Sequence, residues 1–343
     1  MNKPFLSVII PCRNEEKFIA KCLDGLLAQD YPQDRLEIIV VDGMSGDRTR
    51  ETVKRYREKF PFVKLLENEK RVTPSAMNIG IREAKGDAIT MVNAHSILDR
   101  EFLKYSAEYL EENSDADAVG GALKTINDEK NLIAQAIPLA ADSLFGTGGN
   151  RYRTRVKEGF IDDTLPYCLY RKEVFKKIGY IDEELIRDQD EEFNYRLLKN
   201  GGKIFFSPKI KSFLHIRPSI RKLWRQHFQY GYWKVKVCQK VGIDFVQKQI
   251  VPALFVAGLG GSFILSFFWK PFFWLFGAVG GSYLAVNLLF SLFLAKKCGY
   301  KYFFVLPVVF FVLHVSYGSG FLKGMVDFIL LDKKGIKDVS LTR

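Results

Sequence analysis

Histidine and cysteine are scarce in this chain, and one long stretch carries no acidic residue. Four histidines and five cysteines in 343 residues leave few ligands for structural zinc. Cys12, Cys22, Cys168, Cys238 and Cys298 contain no CxxC pair, so neither a disulfide framework nor a zinc ribbon is indicated and a reducing compartment is expected. No cleavable leader is recognisable, because the apolar run Phe5 to Ile10 is short and meets Pro11 and charge at once. No nucleic-acid module accompanies the formal net charge of +12. The basic excess is therefore read as suited to an anionic membrane surface and phosphorylated small molecules, not to nucleic acid. Within that stretch, from Ile250 to Leu322, Lys270, Lys296, Lys297, Lys301 and His314 are the only ionisable groups besides tyrosine and cysteine.

A mean hydropathy of −0.04 thus averages two unlike parts. Up to about residue 249 the chain is mixed and charged. Beyond it lie three apolar segments, near 250–269, 272–295 and 302–322, each close to the ~20 residues that cross a ~30 Å hydrocarbon core. Buried core helices or a re-entrant pair are the alternative. With the N-terminal part inside, three crossings would place Lys333, Lys334 and Lys337 outside, against the positive-inside tendency. A bend at Gly318 and Gly320 that leaves 321–331 in the interface would avoid this. The expected division is 1–235 as an α/β domain, 236–249 as a juxtamembrane linker, 250–331 as a membrane domain and 332–343 as a basic tail.

Short apolar runs alternate with helical stripes through the first hundred residues. Leu6–Ile10, Leu36–Val41, Phe62–Glu67 and Ala88–Val92 read as strands, the second and fourth continuously apolar as doubly covered parallel strands are. Helical patterns fall at 15–29, 47–60 and 74–84, the last with Thr73 as N-cap and Pro74 at its first position. This order predicts a mainly parallel sheet with right-handed crossovers. Further on, 118–125 and 167–170 read as strands and 172–178, 190–200 and 219–241 as helices, with irregular loops around 125–165.

Polar groups close two of these strands: Asp42 the second, Asn93-Ala94-His95 the fourth. Ligands of open α/β sheets bind outside strand carboxyl ends, so both sets should face one crevice. By itself, Asp42 before a Gly/Ser/Asp turn fits a helix cap as well as a ligand group. Pro11-Cys12-Arg13-Asn14-Glu15 ends strand one and lacks the glycine-rich phosphate loop that a nucleotidyltransferase would need.

Taken with Asn78-Ile79-Gly80-Ile81, Gly86-Asp87, Gly120-Gly121 and Asp188-Gln189-Asp190-Glu191-Glu192, these motifs resemble family 2 glycosyltransferases of the GT-A fold. Asn93-Ala94-His95, Gly146-Thr147-Gly148-Gly149, Tyr230-Gly231 and His314-Val315-Ser316-Tyr317-Gly318 narrow the resemblance to the succinoglycan-biosynthesis type. It implies a nucleotide-sugar donor, a UDP-sugar, with Asp42 on the base, Pro11, Arg13 and Glu15 lining its pocket, and Asn78 and Asn93 also at the nucleotide. Lys70 and Arg71 would add positive charge at the diphosphate. Where the family usually carries Asp-x-Asp for a divalent cation, this chain has Asn93 and His95. His95 can ligate Mn²⁺ or Mg²⁺, oxygen ligands suiting the latter better, and a surface loop histidine is the plain alternative.

Asp190 is the expected general base of an inverting transfer, with an acidic helix start as the bland reading. Arg217, Arg221 and Arg225, spaced by four, suit either the phosphates of a polyprenyl-linked acceptor or anionic lipid headgroups. His314 should bond a backbone carbonyl or Tyr317, or else help bind the lipid phosphate. The expectation is a cell-membrane, multi-pass enzyme with a cytoplasmic catalytic domain that adds one sugar to a lipid-linked glycan. Its rivals are a polyprenyl-phosphate glycosyltransferase and a non-catalytic nucleotide-sugar-binding scaffold.

Overall fold

The structure is a computed structural model and describes residues 3–126, 129, 131–147, 151–154, 157–215, 219–242 and 247–333. The chain divides into two compact units, 1–124 with 151–215 and 125–150 with 216–343. This division falls earlier than the hydropathy change near residue 250, because two helices outside the apolar tail belong to the second unit.

In chain order the described elements are β1 (Leu6–Cys12), α1 (Ile19–Leu27), β2 (Leu36–Asp42), α2 (Thr49–Lys59), β3 (Val63–Glu67), α3 (Thr73–Glu83), β4 (Ala88–Met91) and β5 (Ser96–Leu98). Then come α4 (Phe102–Glu112), β6 (Ala118–Ile126), α5 (Leu132–Ala141), α6 (Arg151–Thr154), β7 (Gly159–Ile161), β8 (Leu169–Arg171), α7 (Lys172–Lys177), α8 (Gln189–Lys199) and β9 (Ile204–His215). The remainder is helical: α9 (Ile220–Val241), α10 (Gln247–Ser266), α11 (Lys270–Cys298) and α12 (Leu306–Met325), which runs on into a π turn at Val326–Leu330.

The first unit is built on one sheet in the order β3-β2-β1-β4-β8-β6-β9-β5, with β7 also on β9. β3, β2, β1 and β4 are parallel, and β8 joins β4 antiparallel. Every residue of β1, β2 and β4 is buried, which is why their sequences are apolar without alternation. Helices cover both faces. Ile19, Leu23 and Leu26 of α1 pack with Val8 and Ile10 in one core, and Ala76, Met77 and Ile81 of α3 with Ile9 and Ile39 in the other. The chain leaves β1 toward β2 and β3, then returns to place β4 on the other side of β1. The crevice beyond β1 and β4 is therefore the topological switch point where such sheets bind ligands.

Some boundaries differ from the sequence reading. Thr73 lies inside α3, whose N-cap is Val72, with Pro74 in the first turn. The region read as irregular, 125–165, contains α5, a helix with Pro138 in its interior. α4 also had no sequence assignment.

In the second unit α5, α9, α11 and α12 contribute to one apolar core of Ala136, Ile137, Ala140, Leu223, Leu294, Leu306, Val309, Phe310 and Leu313. α10, α11 and the α12–π-turn helix are each long and apolar enough to cross a membrane. α12 runs unbroken through Gly318 and Gly320, so the bend considered there does not occur. Helices α9 and α12 touch through backbone: a Cβ on Gly231 would lie 2.0 Å from Tyr317 O, and one on Gly320 2.0 Å from Phe228 O.

Candidate active site

β1 and β2 end in register, Cys12 opposite Asp42, and Gly43 N–H donates to Cys12 O at 2.8 Å. Their following loops are laced together. Asn14 N–H donates to Ser45 Oγ (2.8 Å), Gly46 N–H to Asn14 Oδ1 (2.9 Å), and Glu15 N–H to Thr49 Oγ1 (2.7 Å). Asp42 is fully buried, and its carboxylate accepts from Ser45 N–H (3.0 Å) and Ser45 Oγ (2.5 Å), with Arg50 Nη1 3.5 Å away. It thus fixes the 42–45 turn as a helix-cap aspartate does. Pro11 is buried beside it, and Arg13 lies over Gly43, within 3.5 Å of where a Cβ would stand.

The loop after β4 brings His95 to this place, its Nδ1 3.4 Å from Glu15 Oε1 and its ring edge-on to Phe18. Glu15 is nearly buried whereas the His95 side chain is 36% exposed, so the imidazole faces solvent over a fixed carboxylate. Asn93 donates through Nδ2 to Tyr167 Oη at 3.1 Å. Among the described residues no group of three His, Cys, Asp or Glu side chains converges as a metal-binding set.

The loop after β3 supplies Lys70 and Arg71, and the loop after β1 supplies Arg13. Lys70 is paired with Glu183 at 2.6 Å, and Arg71 and Arg13 have no carboxylate partner among the described residues. Asn78, expected at the nucleotide, is buried in α3; its amide both donates to Ile181 O and accepts from Ile181 N–H, each at 2.9 Å, and donates to Glu183 Oε1 at 3.0 Å. That placement makes it an anchor for the segment leading into α8. Lys70 and Asn78 hold the Glu183 carboxyl below the usual glutamate range.

Asp190 stands in the first turn of α8 beside Glu191 and Glu192. Glu192 is buried and paired with Arg196 at 2.8 Å, which gives it a structural task. Asp190 is partly exposed and accepts from Glu191 N–H at 3.0 Å. Burial, then Cys168 and the charge of Asp190, push the Tyr170 hydroxyl well above its ordinary pKa. The 165–170 segment is therefore Asp190's neighbour, and it also carries Tyr167, the partner of Asn93.

Two residues escaped the sequence reading. Asn68 follows β3, is 1% exposed, and ties to Asp42 through its N–H (2.8 Å to Asp42 O), while its Oδ1 is buried without a hydrogen-bond partner among the described residues. The signal that singled out Asp42, a polar residue closing a strand, applies equally to Asn68. Tyr167 left no such signal. Among the described residues, five of the six non-glycine residues at positive φ are Asn14, Met44, Arg71, Tyr167 and Asp188, in the loops after β1, β2 and β3 and just before β8 and α8. Such conformations cost of order 1–3 kcal/mol each and collect at functional sites.

In the second unit Arg221 and Arg225 are exposed on α9; Arg217 lies outside the described residues. His314 engages both ring nitrogens, with Phe145 O (2.7 Å) and Tyr283 Oη (3.0 Å), so the carbonyl reading holds, with Phe145 as its partner.

Residues 7–179, from β1 to just beyond α7, match the family model Glycosyl transferase family 2. The chain belongs to that family. A dolichyl N-acetyl-α-D-glucosaminyl phosphate 3-β-D-2,3-diacetamido-2,3-dideoxy-β-D-glucuronosyltransferase of Methanococcus voltae is 32% identical over 94% of this chain and 97% of its own length. The succinoglycan biosynthesis protein ExoA of Rhizobium meliloti is 28% identical over 94% and 95%. Among solved structures, a mannosyltransferase from Pyrobaculum calidifontis in complex with GDP-Man and Mn²⁺ aligns with a TM-score of 0.61 at 18% identity, covering 95% of this chain and 88% of that one. S. aureus TarS 1-349 in complex with UDP-GlcNAc aligns at 0.52 and 18%, covering 93% and 92%. These likenesses establish the GT-A fold for this family 2 glycosyltransferase. Asp190 lies beyond the matched residues, so its role rests on chemistry and position.

Proposed function

We propose that this family 2 glycosyltransferase inverts the anomeric centre of a UDP-sugar as it transfers the sugar to a lipid-linked glycan acceptor at a membrane surface. The observation that carries this reading is the convergence, at the β1/β4 switch point, of strained loops bearing a buried carboxylate, a buried amide oxygen and two guanidinium groups, these last three without a partner among the described residues. The base would meet Asp42 and Asn68 with Pro11, Arg13 and Glu15 around it, and Asn93 would take the ribose. Arg13 and Arg71 would face the diphosphate, and Lys70 could join them by leaving Glu183. Lipid-linked acceptor chemistry is supported by the name of the Methanococcus relative and by the three apolar helices.

Asp190 takes the proton of the acceptor hydroxyl as its oxygen bonds to the anomeric carbon. The bond from that carbon to the diphosphate breaks on the opposite face, and UDP leaves with the electron pair. The Arg13 and Arg71 guanidinium groups would stabilise charge that grows on the leaving oxygens. The donor set at the crevice, an imidazole (His95) 3.4 Å from a carboxylate (Glu15), suits Mn²⁺. These two residues would hold such an ion, which when bound neutralises diphosphate charge.

The test is sugar incorporation by the detergent-solubilised chain from UDP- and GDP-sugars into lipid extract, with Mn²⁺, Mg²⁺ or EDTA. Transfer that Asp190→Asn lowers by at least about 10²-fold, the lower bound of what a positioned base contributes, is expected. Arg221→Ala and Arg225→Ala should raise acceptor KM if that face holds lipid phosphate. Product on bare polyprenyl phosphate would select that acceptor instead. UDP binding without turnover, unaltered by Asp190→Asn, would leave a scaffold.

A further inference from the structure

Asn93 stands where a carboxylate is usual in this family, and a neutral amide needs a device to aim it. Its contacts are few. The backbone carbonyl accepts from Ser96 N–H at 3.0 Å, and Nδ2 donates to Tyr167 Oη at 3.1 Å. Asn93 Oδ1 has no hydrogen-bond partner among the described residues, and the residue is partly exposed. With its nitrogen on the phenol, the amide turns its oxygen the other way as a free acceptor.

The phenol is itself fixed. Tyr167 is 9% exposed, Ser96 Oγ lies 2.5 Å from its hydroxyl, and its carbonyl accepts from Thr90 Oγ1 at 3.3 Å. Thr90 belongs to β4 and pairs with Leu169 of β8, so the strand pairing places Tyr167 beside the end of β4. The backbone there adopts φ 53°, a genuine outlier for a bulky aromatic residue. The strain persists because sheet pairing and three side-chain hydrogen bonds over-determine it. A phenol can accept from the amide while donating to Ser96, so the three groups form a directed chain that an aspartate at 93 could not enter with the same polarity.

We infer that Tyr167 is a positioning residue: its hydroxyl orients the Asn93 amide so that Oδ1 faces the nucleotide. The inference rests on the donor reading above and specifies how the neutral residue serves it. Tyr167→Phe removes one oxygen and keeps the ring that packs in the core. In calorimetric titration of the full chain with UDP, Tyr167→Phe should weaken binding about five- to tenfold, the scale of one aimed hydrogen bond. Placed on Asn93→Ala, it should weaken binding no further. In turnover it should raise donor KM with kcat little changed. Losses that add in the double variant, or a fall in kcat at constant KM, would overturn the inference while leaving the donor reading intact. Failure of the unaltered chain to bind UDP would overturn the donor reading and the inference with it. Melting of each variant without ligand checks that folding is preserved; should Tyr167→Phe unfold, Ser96→Ala, which removes the phenol's own partner, is expected to weaken UDP binding in the parent but not in Asn93→Ala, and an equal loss in both backgrounds would overturn the inference.

Discussion

Glu37 and Asp42 sit at opposite ends of β2 and show two uses of a buried carboxylate. Glu37 accepts from Ser7 Oγ (2.6 Å), Lys85 N–H (2.5 Å) and Lys64 Nζ (2.5 Å). Burial alone would raise its pKa, but Lys64, Ser7 and Lys85 outweigh it and hold the carboxyl below the ordinary value near 4.5. A depressed native pKa means stability that is present above the unfolded value and lost as pH falls through the native one. Glu37→Gln should therefore cost about 1–3 kcal/mol at neutral pH, with a lower melting temperature. The gap to the parent should close as pH drops below about 4.5; a gap constant with pH would refute the linkage. At the other end, Asp42 was legible because a polar residue closing an apolar run is visible in the sequence. Asn68 obeyed the same rule and was passed over. Tyr167 could not be found that way, since nothing in a tyrosine's neighbours announces a left-handed backbone.

Helices were legible in proportion to how regular their buried stripe is. α1 repeats Ile19, Cys22, Leu23 and Leu26 on one face and was evident. α4 buries Phe102, Leu103, Ser106, Ala107, Tyr109 and Leu110, a stripe at helical spacing but diluted by hydroxyls. α5 carried Pro138, a breaker signal; the helix tolerates it at the cost of one backbone donor. The α9–α12 contact was wholly hidden, because it depends on glycines meeting carbonyls across 90 residues of sequence. Gly320→Ala would drive a methyl into Phe228 O, so the α9 backbone there must give way. A clear fall in the melting temperature of the detergent-solubilised protein is expected. Gly277→Ala, in α11 with nothing within 4 Å of the added atom, should leave it unchanged. Equal effects would show that close packing is not what couples α9 to α12.

For the molecule as a whole, the three apolar helices are not alike. Protein covers only 11% of the apolar window of α10 and 17% of that of α11, but 50% of the α12 window. α12 packs on α9, which carries exposed Arg221, Lys222 and Arg225, and a helix so charged is costly in hydrocarbon. At its far end Asp327, buried, is held by Lys323 (2.7 Å), Lys333 (3.1 Å) and Tyr232 Oη (3.1 Å), a cluster suited to the interface. Composition alone could not separate α12 from its neighbours; burial does. The expected topology is a crossing hairpin of α10 and α11, with α12 alongside α9 at the membrane surface. Lys296 and Lys297 in the last turn of α11, and Lys301 just after it, then share a side with Lys323 and Lys333, as positive charge prefers. A C-terminal tag should be cleaved by protease in the same vesicle orientation as an N-terminal tag, and Ser266→Cys at the hairpin tip, in a chain whose exposed Cys298 and half-exposed Cys238 are replaced by Ala, should react with an impermeant maleimide only in the opposite orientation. Tags on opposite sides would mean that α12 crosses as well, taking its buried aspartate and the lysines that neutralise it to the far side.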